Sequence, residues 1–299
     1  MENKNKSNSL YHIMALVTVI IWGTTFVSTK VLINQKLSPE SILFYRFLIA
    51  YLAIWSFCPR KLVANNLKDE LLLVAAGMCG GSLYFMAENR ALGITLASNV
   101  SLIVCIASIF TGILSHLFVK GEQMKKNLIY GSFIALAGVS FVVFNGSFIL
   151  KISPIGDFLT MLAALMWAFY SIILKQLDSK YSTLFITRKV FFYGIITLLP
   201  VFFISPLTTD TRILFRPEVI GNLLFLGLIA SMLCYILWNM AVKHLGAIRT
   251  TNYIYIVPLI TLITSSIVIN ETITGFALIG ALFIISGVYI AERGFHLPK

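Results

Sequence analysis

The chain has 299 residues, 58% of them hydrophobic and only 12% charged, with a mean hydropathy of +0.90. So few charges cannot cover a water-facing surface, which excludes the soluble classes of enzyme and binding module and leaves an integral membrane protein. The net charge of +11 would also suit a polyanionic partner, and the positions of the charges decide between the two readings.

Apolar stretches follow one another at about 10–33, 39–57, 70–92, 96–118, 127–144, 155–176, 183–206, 218–242, 247–269 and 275–292. Each is long enough to cross a hydrocarbon layer about 30 Å thick, so the expectation is ten transmembrane spans. The runs are continuous rather than alternating, which predicts helices and not barrel strands. Lys4 and Lys6 precede the first stretch as in a signal peptide, but its length, Lys30 at its end and the lack of a small-residue cleavage site predict an uncleaved span. Cys58, Cys79, Cys105 and Cys234 lie in or beside spans without paired spacing, so neither a disulfide framework nor a metal site is expected.

With the N-terminus in the cytoplasm, fourteen of the 23 Lys and Arg residues fall on the cytoplasmic side. The other side receives Lys30, Lys36, Lys151, Arg212 and Arg216, while Arg46, Arg90, Arg188 and Lys189 lie inside spans or at their edges. This is the positive-inside distribution. It predicts a multi-pass plasma-membrane protein with both termini cytoplasmic, and no nucleic-acid partner.

The chain also repeats itself. Trp22 to Lys30 recurs in outline as Trp167 to Lys175, and Glu122, Gly131, Gly138 and Val139 reappear, displaced by 149 residues, as Glu271, Gly280, Gly287 and Val288. The expected units are a first repeat at 1–144, a connector at 145–154 containing Gly146, Ser153 and Pro154, and a second repeat at 155–299. Five spans per unit force the second copy into the membrane upside down. Lys120, Lys125 and Lys126 around Glu122, against the uncharged neighbours of Glu271, agree with that inversion.

These residues resemble the EamA-type branch of the drug/metabolite transporter superfamily over nearly the whole chain. The resemblance rests on Trp22-Gly23-x-x-Phe26, Tyr45-Arg46, Asn89-Arg90-Ala91-Leu92, Gly121-Glu122 with Gly131 and Gly138, and Pro258 thirteen residues before Glu271. It implies a ten-helix transporter, often an exporter of amino acids, other small metabolites or drugs, with a central cavity formed by both repeats. One departure is Ile109, which stands where the second half has Pro258, so span 4 is expected to lack a proline bend.

Polar residues within spans carry the candidate site. Arg46 lies about 10 Å into span 2 at 1.5 Å per residue, and Lys189 mirrors it in span 7. Two readings stand for this pair: cations that receive an anionic group from either side, or side chains that snorkel, pair with Glu88 or bond backbone carbonyls. Tyr84 and Glu88 share a helical face, which suggests a role in binding an amino group or carrying a proton, whereas Glu88 and Arg90 face differently and do not pair. Their match in span 8 is Trp238 and Asn239. Trp22 and Trp167 lie well inside spans 1 and 6, and with Tyr170, Asn99, Asn252 and Tyr255 they either line a cavity for a small amphipathic solute or pack helices. Glu122 and Glu271 each precede a helix and are read as structural helix-start acids. Gly131, Ala135 and Gly138 form a small-residue stripe for close helix approach, as does Gly77-x-x-x-Gly81.

No phosphate-binding loop, His-Glu-x-x-His zinc helix or Gly-x-Ser-x-Gly nucleophile turn is present, and His12, His116, His244 and His296 are scattered. No cofactor is expected, and the chain is not read as an enzyme. The reading is a secondary transporter in the lipid bilayer, exporting small metabolites or amino acids by alternating access between two inverted repeats. A nucleotide-sugar or sugar-phosphate carrier, and an intramembrane enzyme built on Glu88 or His116, are the alternatives.

Overall fold

The computed structural model describes residues 2–57, 63–95, 97–119, 126–144, 153–269 and 275–293, and every regular element among them is helical. In chain order the long segments are α1 (Glu2–Asn34), α2 (Pro39–Phe57), α3 (Leu67–Ile94), α4 (Val100–Phe118) and α5 (Lys126–Phe144), then α6 (Pro154–Leu177), α7 (Thr183–Phe203), α8 (Pro217–Leu245), α9 (Ala247–Val268) and α10 (Gly275–Arg293). Eight helices are long and apolar enough to cross a membrane, and α5 and α10 pack against each other beside them. Glu122 and Glu271 lie outside the described residues, as does the side chain of Asn99.

Local chemistry sets the helix starts. Asn66 accepts from the Asp69 amide at 2.8 Å to open α3, and Ser182 accepts from that of Phe185 to open α7. Ser153 and Pro154 begin α6, a side-chain cap followed by a residue whose missing N–H is no loss in a first turn. Between α8 and α9 the chain reverses at Gly246, whose φ of 94° is open to glycine and strained for a residue with a Cβ.

The helices interleave the two halves of the sequence. α6 packs against α3 and α4, whereas α1 packs against α8 and α9, so each group takes one helix from the other half. α2 and α7 pack on each other, α2 also on α8 and α7 also on α3. The stripe of Gly131, Ala135 and Gly138 meets its own counterpart: a Cβ on Gly131 would lie 2.5 Å from the Gly287 carbonyl, and one on Gly138 would lie 2.6 Å from that of Gly280. As one helix number rises the other falls, so α5 and α10 run antiparallel at near-backbone contact. Gly77 and Gly81 give the equivalent closeness between α3 and α7, against Tyr193 and Gly194.

Irregular turns also recur in register. α3 widens into a π-helical turn at Met78–Ser82 and α8 does so at Phe225–Leu233, a stretch that contains the positions 149 residues on. α4 is interrupted at Cys105, and α9 tightens into a 3-10 turn at Asn252–Ile256. α4 has no proline, as Ile109 stands where the second half has Pro258, yet it is interrupted four residues earlier, at Cys105. The two deviations touch, since the Cys105 thiol donates to the carbonyl of Ile254, its own counterpart, at 3.7 Å.

Candidate functional site: a cavity between the interleaved helix groups

A cavity lies where the two groups meet α2. Trp22, Thr25 and Phe26 of α1, Arg46 of α2, Tyr84, Phe85 and Glu88 of α3, Val104 of α4, Trp167 of α6, and Ile254 and Val257 of α9 line it. Apolar and aromatic surface thus surrounds one cation and one carboxylate, the composition of a small-solute site.

Arg46 is 2% exposed. Its Nε donates to Ser231 Oγ at 2.9 Å, and its guanidinium carbon sits 4.2 Å from the centre of the Phe85 ring. Burial of a cation inside a membrane is tolerated only with such partners. Glu88 lines the cavity beside Tyr84, and its Oε2 is buried with no hydrogen-bond partner among the described residues. On a cavity wall such an atom is free to bond a solute or a water.

The aromatic wall is continuous. Trp22 and Trp167 meet edge to face with centroids 5.1 Å apart, Trp238 lies 4.9 Å from Trp22, and Tyr84 lies 5.2 Å from Trp167. The widened turns hold this wall: the Trp22 indole donates to the Ala230 carbonyl at 3.0 Å, and the Tyr235 hydroxyl donates to that of Gly80. Their carbonyls thus bond aromatic donors as well as serving the helix, a use common for π-helical turns near sites.

Of the residues singled out from the sequence, Trp22, Arg46, Tyr84, Glu88 and Trp167 come together on the cavity. Tyr170, Trp238, Asn239, Asn252 and Tyr255 are buried but do not line it. Tyr170 donates to Asn239 Oδ1 at 2.8 Å, and Asn239 donates in turn to Thr187 at 2.9 Å, a chain that links α6, α8 and α7. Asn252 is 2% exposed with neither amide atom partnered among the described residues. Lys189 does not share the cavity with Arg46. It is ion-paired with Glu70 in the first turn of α3 and lies 4.8 Å from the centre of the Tyr193 ring, so its charge is consumed at one end of the molecule. As expected from their spacing, Arg90 and Glu88 are not paired; Arg90 bonds Glu40 at 2.7 Å.

Sequence reading missed Phe85, Val104, Ile254 and Val257, which are apolar and indistinguishable from lipid-facing residues. It also missed Ser231, Tyr235 and Glu70. Ser231 had a signal: Ser82 stands 149 residues before it.

The paired Trp and Lys of the repeat acquire a shared geometry. Lys30 donates to the Leu92 carbonyl near the end of α3 at 2.6 Å, and Lys175 donates to the Lys243 carbonyl near the end of α8 at 3.3 Å. Each lysine meets the negative end of a helix in the opposite group. Around Lys175 the seal is heavier: Lys243 donates to the Asp178 carbonyl at 2.6 Å, and Ser108 donates to that of Thr251 at 2.5 Å.

A helical membrane protein with repeated features in both halves and an amphipathic cavity between them has the form of a solute transporter. The description of the EamA-like transporter family matches residues 9–144 and again residues 154–292, and the chain belongs to that family. It is 30% identical over 293 residues to an uncharacterized transporter of Archaeoglobus fulgidus, covering 97% of this chain and 99% of that protein. A probable amino-acid metabolite efflux pump of Escherichia coli (strain K12) is 26% identical over 298 residues, 96% of each chain. A probable terminal-alkyne amino-acid exporter of Streptantibioticus cattleyicolor is 24% identical over 279 residues, 93% of this chain and 92% of that one. A solved crystal structure superposes with a TM-score of 0.75 at 14% identity over 95% of this chain and 98% of that chain, a likeness of fold. The protein is therefore a multi-pass membrane transporter working on a small-molecule solute in a lipid environment.

Proposed function

We propose that the chain is a ten-span exporter of amino acids or similar small zwitterionic metabolites. In this reading the units 1–144 and 155–299 are inverted copies, both termini are cytoplasmic, and the cavity opens alternately to each side of the plasma membrane. The antiparallel contact of the repeat-equivalent helices α5 and α10 supports inversion. The units that rock against each other are the two interleaved groups, α1 with α8 and α9 and α3 with α4 and α6, rather than the halves as read along the chain. The heavier seal around Lys175, Asp178 and Lys243 lies at the end assigned to the cytoplasm, which makes this an outward-facing arrangement.

The observation that carries the substrate class is the single cavity holding both Arg46 and Glu88. A guanidinium anchored at Nε suits a carboxylate, and a carboxylate with one unmet oxygen suits an ammonium group. Trp22, Phe26, Phe85, Trp167 and Val257 accommodate an apolar side chain. With one cation on the cavity, a phosphate-bearing solute is poorly served. The test is a metabolite-panel efflux assay on cells overproducing the protein, repeated with Arg46→Gln. Amino acids are expected to accumulate outside the cells in an Arg46-dependent manner. No shift in any solute, with the protein present in the membrane, would overturn the reading.

A further inference from the structure

The repeat has built two cation sites and left one of them open. Arg46 of α2 and Lys189 of α7 stand seven residues after the matched positions Pro39 and Ser182, and the π-helical turns of α8 and α3 carry the matched serines Ser231 and Ser82. On one side Arg46 bonds Ser231 and lines the cavity. On the other, Lys189 is held by Glu70, and Ser82 exchanges a hydrogen bond with Thr197 at 2.7 Å instead. The symmetry is broken because Glu70, 119 residues from Lys189, forms an ion pair with that cation, whereas among the described residues Glu88 faces Arg46 across the cavity without a direct ion pair.

We infer that Ser231 is a positioning residue that aims Arg46 at the carboxylate of the solute. The inference rests on the proposed zwitterion reading and assigns how that carboxylate is held. A guanidinium is planar, with three nitrogens in a fixed fork. Ser231 occupies Nε, and the Phe85 ring lies under the guanidinium carbon, 4.2 Å from ring centre to Cζ. The Nη1–Nη2 edge is left as the part of Arg46 with no hydrogen-bond partner among the described residues, and two parallel N–H groups on one edge match the two oxygens of a carboxylate. The widened turn Phe225–Leu233 is what carries the Ser231 hydroxyl to Arg46; its side chain is fully buried. Arg46 reaches the solute, whereas Ser231 acts through Arg46. Glu88, Tyr84, Tyr235 and Cys234 are the other titratable groups near Arg46, and the described acceptor at its Nε is Ser231.

The test uses the purified full chain in proteoliposomes, with L-leucine, L-phenylalanine and their decarboxylated amines as probes. Ser231→Ala is expected to raise the KM for the amino acids about tenfold at little change in maximal rate, the loss of one hydrogen bond to a charged group. The same substitution should leave the amines, which have no carboxylate, within about twofold of the parent. Ser231→Thr keeps the hydroxyl and should restore the parental KM, and Ser82→Ala should leave the ratio of amino acid to amine unchanged. A parental KM in Ser231→Ala, or an equal loss for amino acid and amine, would overturn the assignment. Should the parent transport the amines but neither amino acid, the zwitterion reading would fall and this assignment with it; amino-acid transport indifferent to Ser231→Ala would remove the assignment alone.

Discussion

Replacing Lys189 with Met tests whether this residue serves the fold or the solute. Its Nζ is paired with Glu70, and the two side chains are 6% and 15% exposed, so the pair is largely withdrawn from solvent. Removing one partner of a buried pair leaves an uncompensated charge and costs roughly 3–5 kcal/mol. Glu70 keeps two further donors, the Tyr193 hydroxyl and the Ala64 amide at 2.6 Å, which place the expected loss near the lower end, about 3 kcal/mol. Glu70→Gln in the same chain removes the stranded charge, keeps one oxygen to accept from the Ala64 amide and turns its NH2 to the Tyr193 hydroxyl, which can accept. The double variant should therefore lie within about 1 kcal/mol of the parent, a smaller loss than that of Lys189→Met alone, so the two single losses do not add. Denaturant unfolding of the purified protein in detergent micelles, followed for the parent, both single variants and the double, measures it. Lys189→Met that unfolds like the parent but has lost transport would refute the reasoning and return Lys189 to the solute site.

Two further substitutions probe the contacts that shape the cavity. Gly131→Leu should force α5 from α10, because even a Cβ would lie 2.5 Å from the Ala291 amide and the Gly287 carbonyl; a loss of folded protein in detergent gel filtration is expected, whereas Gly93→Leu, with open space around it, should behave as the parent. Tyr235→Phe removes the donor to the Gly80 carbonyl and should destabilise the protein by about 1–2 kcal/mol in the same unfolding assay, and no change would mean that the widened turn of α3 needs no side-chain partner.

The positions of the helices were legible in the sequence because lipid demands long unbroken apolar runs, and the stripe of Gly131, Ala135 and Gly138 announced a close neighbour without naming it. Its partner proved to be the equivalent stripe on α10. Arg46 and Glu88 were legible as costly groups inside spans. What separated Arg46 from Lys189 was not: their places in the repeat match, and only the fold brings Glu70 to one of them. The interleaving of α1 and α6 was hidden for the same reason, since which helices adjoin is decided by contacts far apart in the chain. The widened turns at Met78–Ser82 and Phe225–Leu233 left no trace in the apolar pattern, yet they orient Ser231 and receive Trp22 and Tyr235. The matched serines could have pointed to them.

The central claim is that a solute crosses through the cavity bounded by Trp22, Arg46, Glu88 and Trp167. Counterflow of radiolabelled leucine or phenylalanine into proteoliposomes preloaded with the unlabelled amino acid addresses it without assuming a driving ion. Saturable uptake is predicted for the parent, with loss in Arg46→Gln and in Glu88→Gln while both variants elute as folded protein. Uptake that persists unchanged in both variants would contradict the account.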